Sequence, residues 1–177
     1  MRRALDTLYF AAAALAALFL AGILVIMMAQ VAGREFGLQV RGADDLTAWF
    51  CAAASFLALG YTFKQGELVR VGLFIERLSP AWRRRAEIAC LAIAAAFSAY
   101  MAWAVMAFVY ESWKFNEQAQ GLIAIPIWIP QASFAAGVTV FCIAVADELA
   151  RVLRGAKPGY QAAEEERLAR GDFSDTL

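Results

Sequence analysis

LYFAAAALAALFLAGILVIMMAQVA, residues 8–32, contains no charged side chain, and the charge-free run extends from Asp6 to Arg34. A helix of about 20 mostly apolar residues crosses the hydrocarbon of a bilayer. This run is long enough to do so. Three more runs repeat the pattern: 46–63 between Asp45 and Lys64, 88–110 between Glu87 and Glu111, and a longer gap from Glu117 to Asp147. The spanning part of the last gap is placed at 130–146, approached through Pro126 and Pro130. The expected fold is all-α, with four transmembrane helices at about 8–32, 46–63, 88–110 and 130–146 in one membrane domain, residues 1–154. Arg2 and Arg3 before the first run suggest a signal peptide, but a signal's apolar region covers only about 7–15 residues. An uncleaved span fits better.

Composition agrees with that reading. Of 177 residues, 62% are hydrophobic and 18% charged, with a mean hydropathy of +0.58. A soluble domain is about 45–50% apolar and about 25% charged. The 16 basic and 16 acidic residues cancel, so there is no basic field to hold nucleic acid. The chain has no histidine, which removes imidazole metal sites, His-ligated haem and Ser-His or Cys-His nucleophiles. Cys51, Cys90 and Cys142 lie far apart in apolar runs and read as small hydrophobes rather than metal ligands or redox centres. No catalytic, cofactor or metal set emerges, and an enzyme is not expected.

Lysine and arginine are distributed unevenly among the connections. The N-terminus, the middle loop and the tail together carry 13 of them, and the two other loops carry Arg34, Arg41 and Lys114, which makes 3. The positive-inside rule then places both termini and the middle loop in the cytoplasm. Tyr9, Trp49, Tyr61, Trp82, Trp113 and Trp128 fall near the proposed span ends, at headgroup level. In the middle loop, residues 66–78 mix apolar and charged side chains and are too short to span. They read as an interfacial segment on the inner leaflet, with Arg70 and Arg77 near phosphates; a solvated linker is the plainer alternative. Ser79-Pro80 resembles a cap followed by a first-turn proline, so the third helix starts there and carries Arg83, Arg84 and Arg85 below the membrane. Those arginines oppose the helix dipole, which anionic lipid, an acidic partner or hydration can offset. Residues 155–177 hold Lys157-Pro158-Gly159 and a Glu164-Glu165-Glu166 run, and are expected to be a mostly disordered cytosolic tail.

The spans also inform by what they lack. None carries Asp, Glu, Lys or Arg away from its ends, and the interior polar groups are Gln30, Ser55, Thr62, Ser98, Ser133 and Thr139. A protein that moves ions alone places an ionisable group at membrane depth, and a transporter fold shows repeats or broken helices. Four-helix multidrug-type carriers rely on an intramembrane carboxylate that is absent here. A scaffold or accessory subunit is the best reading. A self-sufficient homo-oligomeric transporter or channel, and an anchor or assembly subunit of another complex, are the alternatives.

A set of short motifs then follows a family order. Arg34 follows the first span, Asp44-Asp45 opens the second, Leu59-Gly60 lies near its end, and Gly66-x-x-Val69-Arg70-Val71 comes after it. Ile125-Pro126-Ile127-Trp128-Ile129-Pro130 precedes the last helix. This order resembles the small membrane subunit, the DctQ-like component, of tripartite ATP-independent periplasmic (TRAP) transporters, over about residues 8–150. Asp44-Asp45 stands where the family has glutamates, and Leu68 and Gly72 stand where His and Asp are common. The resemblance implies a scaffold subunit of a secondary, usually sodium-coupled importer of organic acids in the bacterial inner membrane. Its implied partners are a large multi-spanning permease subunit and a periplasmic substrate-binding protein, with membrane lipids around them. No substrate contact by this chain is implied. Asp44 and Asp45 then have three readings: N-terminal charges of the second helix, partners of Arg34 or Arg41, or contacts to the large subunit or binding protein. Gly60 either permits close helix approach or is incidental. Arg70, Arg77, Arg83, Arg84 and Arg85 are expected to contact inner-leaflet lipid or a partner.

Overall fold

The computed structural model describes residues 2–38, 41–65, 80–155 and 159. The interfacial reading of 66–78, with Arg70 and Arg77, lies outside the described residues, as does the tail beyond Gly155 apart from Gly159. Among the described residues there are four α-helices: α1 Arg2–Glu35, α2 Ala43–Gln65, α3 Pro80–Lys114 and α4 Trp128–Leu153. All four are long and apolar enough to cross a membrane.

The helices run past the apolar stretches that define them. At about 1.5 Å per residue the 35 residues of α3 measure about 52 Å, well beyond a hydrocarbon core of about 30 Å. The ends continue because Ala, Arg and Glu are good helix formers where water solvates the backbone. Helices α1, α3 and α4 are followed by left-handed residues. After α1, Gly37 has φ 68°, with the Leu38 N–H donating to Gly33 O at 2.8 Å and the Gly37 N–H to Arg34 O at 3.1 Å. Asn116 (φ 49°) closes α3 by the same pattern, through Glu117 N–H to Ser112 O and its own N–H to Trp113 O. Helix α4 begins at Trp128, two residues before the expected start. Pro130 is tolerated there because first-turn positions need no N–H donor.

Packing follows an open row rather than a closed bundle. Helix α1 packs along α2, α2 along α4, and α4 along α3, while α1 touches α4 only lightly and α3 meets α1 and α2 marginally at most. Helices α1 and α2 are antiparallel neighbours, shown by the Phe19–Phe50 edge contact at 5.0 Å and the Lys64–Asp6 ion pair at the opposite end. Helices α2 and α4 run parallel, with Phe56 against Phe134 (4.2 Å) and, two turns on, Phe63 against Phe141 (5.8 Å). The α2–α4 seam combines small and large residues. Ala53, Ala54, Leu57 and Gly60 face Ala135, Gly137, Val138 and Val140, all buried. Small residues let helix backbones approach closely where no hydrophobic force separates protein from lipid.

Candidate functional site

No described region gathers reactive groups. Among the described residues no cluster of three or more His, Cys, Asp or Glu could hold a metal ion. The three cysteines are unpaired, with Cys51 and Cys90 exposed. Five interior hydroxyls are committed to their own helices: Ser55 to Cys51 O (2.8 Å), Thr62 to Ala58 O (3.2 Å), Ser98 to Ala95 O (3.1 Å), Ser133 to Pro130 O (2.7 Å) and Thr139 to Ala135 O (2.7 Å), while Thr47 Oγ1, near the start of α2, is buried without a partner among the described residues. The protons of those five are spent locally, so none of the five offers a donor to a passing solute. The candidate site is instead a pair of polar clasps, one at each end of the row, and the apolar faces between them.

One clasp is organised by the acidic pair. Asp44 accepts a hydrogen bond from the Gln30 side chain at 2.9 Å, which ties the start of α2 to the end of α1. Asp45 accepts from the Leu122 backbone N–H at 2.8 Å, a contact across 77 positions of sequence. The segment between α3 and α4 folds back on itself, with Ala119 N–H donating to Ile125 O at 2.9 Å, Ile127 N–H to Glu117 O at 3.0 Å, and a bridge between Gln118 and Pro126. Its tip lies over the start of α2. Gly121 sits against the Asp45 carboxylate and Gly42 against Ile123, so a Cβ at either glycine would collide. Both aspartates also occupy the first turn of α2, where negative charge complements the helix dipole. Two structural duties are thus combined, whereas neither Arg34 nor Arg41 forms an ion pair with a described residue. Arg34 lies in the last turn of α1, and Arg41 is exposed.

The second clasp closes the other end of α1, α2 and α4. Lys64 pairs with Asp6 and lies 5.6 Å from the centroid of the Tyr9 ring, which is only 2% exposed. Glu148, 5% exposed, holds Arg151 at 3.3 Å and accepts from the Gly159 N–H. Burying a carboxylate is costly unless it is paired and hydrogen-bonded, and Glu148 is both. Arg83 pairs with Glu87 one turn on, at 3.4 Å. Arg84 and Arg85 are exposed and form no ion pair with a described residue, and Arg85 lies 5.3 Å from the centroid of the Trp82 ring.

Gly60 lies in the seam, where a Cβ would come within 2.8 Å of Val140 Cγ1. Gly137 is the tighter contact and is absent from the sequence-derived set. A Cβ there would stand 2.5 Å from the Phe56 carbonyl carbon and 2.7 Å from Leu57 N. The Ala135-Ala136-Gly137 run was its signal. Gln30, Tyr9 and Glu148 were also missed. Glu148 could have been found as an acid one helical turn inside the apolar end of α4.

No curated protein sequence matches the chain. The family model described as tripartite ATP-independent periplasmic transporters, DctQ component, matches residues 23–155. It reaches from the second half of α1 to the glycine that follows α4 and takes in the Asp44-Asp45 clasp and the whole α2–α4 seam. With four membrane-crossing helices in that order, the chain belongs to the DctQ component family, the small multi-pass membrane subunit of TRAP transporters.

Proposed function

We propose that this chain is the fixed scaffold subunit of a secondary, sodium-coupled importer of an organic acid in the bacterial inner membrane. It stands beside a large permease subunit that carries the substrate and ion sites, and a periplasmic binding protein delivers the acid. Both termini are cytoplasmic, and the membrane domain is residues 1–154. The observation that supports this reading is the open row itself. Its members carry no ionisable Asp, Glu, Lys or Arg at mid-membrane depth, and Ser55, Thr62, Ser98, Ser133 and Thr139 bond their own helices. A layer of this kind can enlarge and brace a neighbour but has nothing with which to bind a carboxylate or couple it to an ion. In that reading Arg34, Asp44, Asp45 and Gly60 serve assembly by shaping the layer.

Co-expression with the large subunit and purification in mild detergent tests the reading. A stable one-to-one complex is expected, and a clean deletion of this chain should abolish uptake while the large subunit is still present. Full uptake without this chain contradicts an essential scaffold. Topology is tested by single cysteines at Gln118 and Gln161 in a background without Cys51, Cys90 and Cys142. Gln118 should label from the periplasm and Gln161 from the cytoplasm; the reverse contradicts the orientation drawn from the basic residues.

A further inference from the structure

We propose that Arg84 and Arg154, flanked by Arg85, bind the phosphodiester of an anionic membrane phospholipid where α3 begins and α4 ends. The proposal rests on the helices crossing a membrane and not on the transport role, so either can fail without the other.

The antiparallel packing of α3 on α4 sets the first turns of one beside the last turn of the other. Arg84 reaches across that gap: a Cβ built on Gly155 would lie 3.8 Å from its Nη2. Arg154 is the residue before that glycine and is exposed. Two neighbouring acids are already committed, Glu87 to Arg83 and Glu148 to Arg151 and the Gly159 N–H, and Asp147 lies near Tyr9 of α1. Two of the backbone acceptors at the end of α4 are taken as well. Ala150 O receives the Arg154 N–H at 3.2 Å, and Val152 O receives the Gly155 N–H at 3.1 Å. Arg84, Arg85 and Arg154 are left with no hydrogen-bond or ion-pair partner among the described residues. Two of them sit near the positive end of the α3 dipole, and the first turn of α3 has no acidic residue. An anion relieves this repulsion.

Depth and surface identify the anion's source. The apolar part of α3 begins at Ile88, one turn beyond Arg84, and Trp82 is exposed at the same level with Arg85 against its ring. That is the headgroup zone, where basic residues between helix ends hold lipid phosphates. Ile93 follows Trp82 by about three helical turns on the same flank of α3, and it and Phe97 are exposed (70% and 65%), so the flank below the Trp82 ring offers a surface along which acyl chains can lie. A soluble phosphate would leave that surface unused.

The test is native mass spectrometry of the delipidated full chain titrated with phosphatidylglycerol or phosphatidylcholine. The wild type should prefer phosphatidylglycerol, and Arg84→Gln with Arg154→Gln should cut that preference by about tenfold or more. Arg84→Lys with Arg154→Lys, which keeps both charges, should retain most of it. Arg34→Gln with Arg41→Gln, which removes two charges at the opposite end, should leave it intact. Arg84→Gln alone is measured alongside, and should lower the preference even if the double glutamine variant does not fold. An unchanged preference in the Arg84 variants overturns the site, as does an equal loss in the Arg34 and Arg41 pair. Displacement of the lipid by millimolar inorganic phosphate would assign the arginines to a soluble anion and overturn the lipid as ligand.

Discussion

The α2–α4 seam and the outward face of α3 are made from similar apolar residues, yet they do opposite things. In the most apolar stretch of α4 33% of residues are buried within the chain, against 11% in α3. The seam has small residues where the backbones cross and aromatic pairs on either side. The α3 face is a ridge of large side chains, Ile93, Phe97, Tyr100, Trp103, Met106, Tyr110 and Trp113, all exposed. Tyr100 and Trp103 lie near the middle of the helix with 65% and 67% exposure, and their polar tips have no partner among the described residues. The difference teaches where the chain completes itself and where it does not. The seam holds the subunit together, and the ridge is left for the surroundings, lipid or the other transporter components.

The sharpest way to break this contrast is to put bulk at the seam. Gly137→Val places methyl groups where a Cβ alone already approaches the α2 backbone to 2.5 Å, and backbone cannot give way as a side-chain tip can. Overpacking costs about 1–3 kcal/mol and more when backbone must move. The thermal midpoint in detergent should fall steeply, whereas Phe97→Leu on the ridge should leave it nearly unchanged. A smaller effect is expected at the first clasp. Asp45→Ala strips the acceptor from the Leu122 N–H and removes a first-turn charge, a loss of about 1–2 kcal/mol. Amide exchange at Leu122 should accelerate, and limited proteolysis should cut the segment between α3 and α4 sooner. Asp44→Ala should cost less, because its bond to Gln30 is exposed. The smallest change is predicted for Lys64→Met. Lys64 and Asp6 are 37% and 53% exposed, and such pairs contribute about 0–1 kcal/mol. That variant should melt within a few degrees of the wild type. A large drop would mean that the second clasp carries the fold.

Much of the architecture is readable in the chain because the bilayer enforces it. Charge-free runs long enough to cross have no stable alternative to helix, and so the four elements and their order are legible in the charge pattern alone. Helix ends are less so, since Arg2 to Thr7 or Trp113 and Lys114 continue a helix in water without any apolar signal. The row order is not legible at all: nothing local in α2 states that it lies parallel to α4 and between α4 and α1. The acidic pair shows the same boundary. Its place at the start of α2 is visible from sequence, but the Asp45 bond to Leu122 joins positions 77 apart and depends on how the distant segment folds back. The arginine run is legible as charge. The pairing of Arg83, and not of Arg84 or Arg85, with a described acid comes from the helical register, which brings Arg83 and Glu87 together.

In the proposed scaffold role this layer braces the transporter without lining the path of the substrate. That role is tested most directly by reconstituting the complete transporter into liposomes with Ser55→Ala, Ser98→Ala, Ser133→Ala and Thr139→Val combined in this chain. Each change removes a hydroxyl that bonds its own helix. Uptake with unaltered ion dependence and substrate preference is expected. A shifted preference or a changed ion stoichiometry would show that these helices touch the transported solute, and would contradict that role.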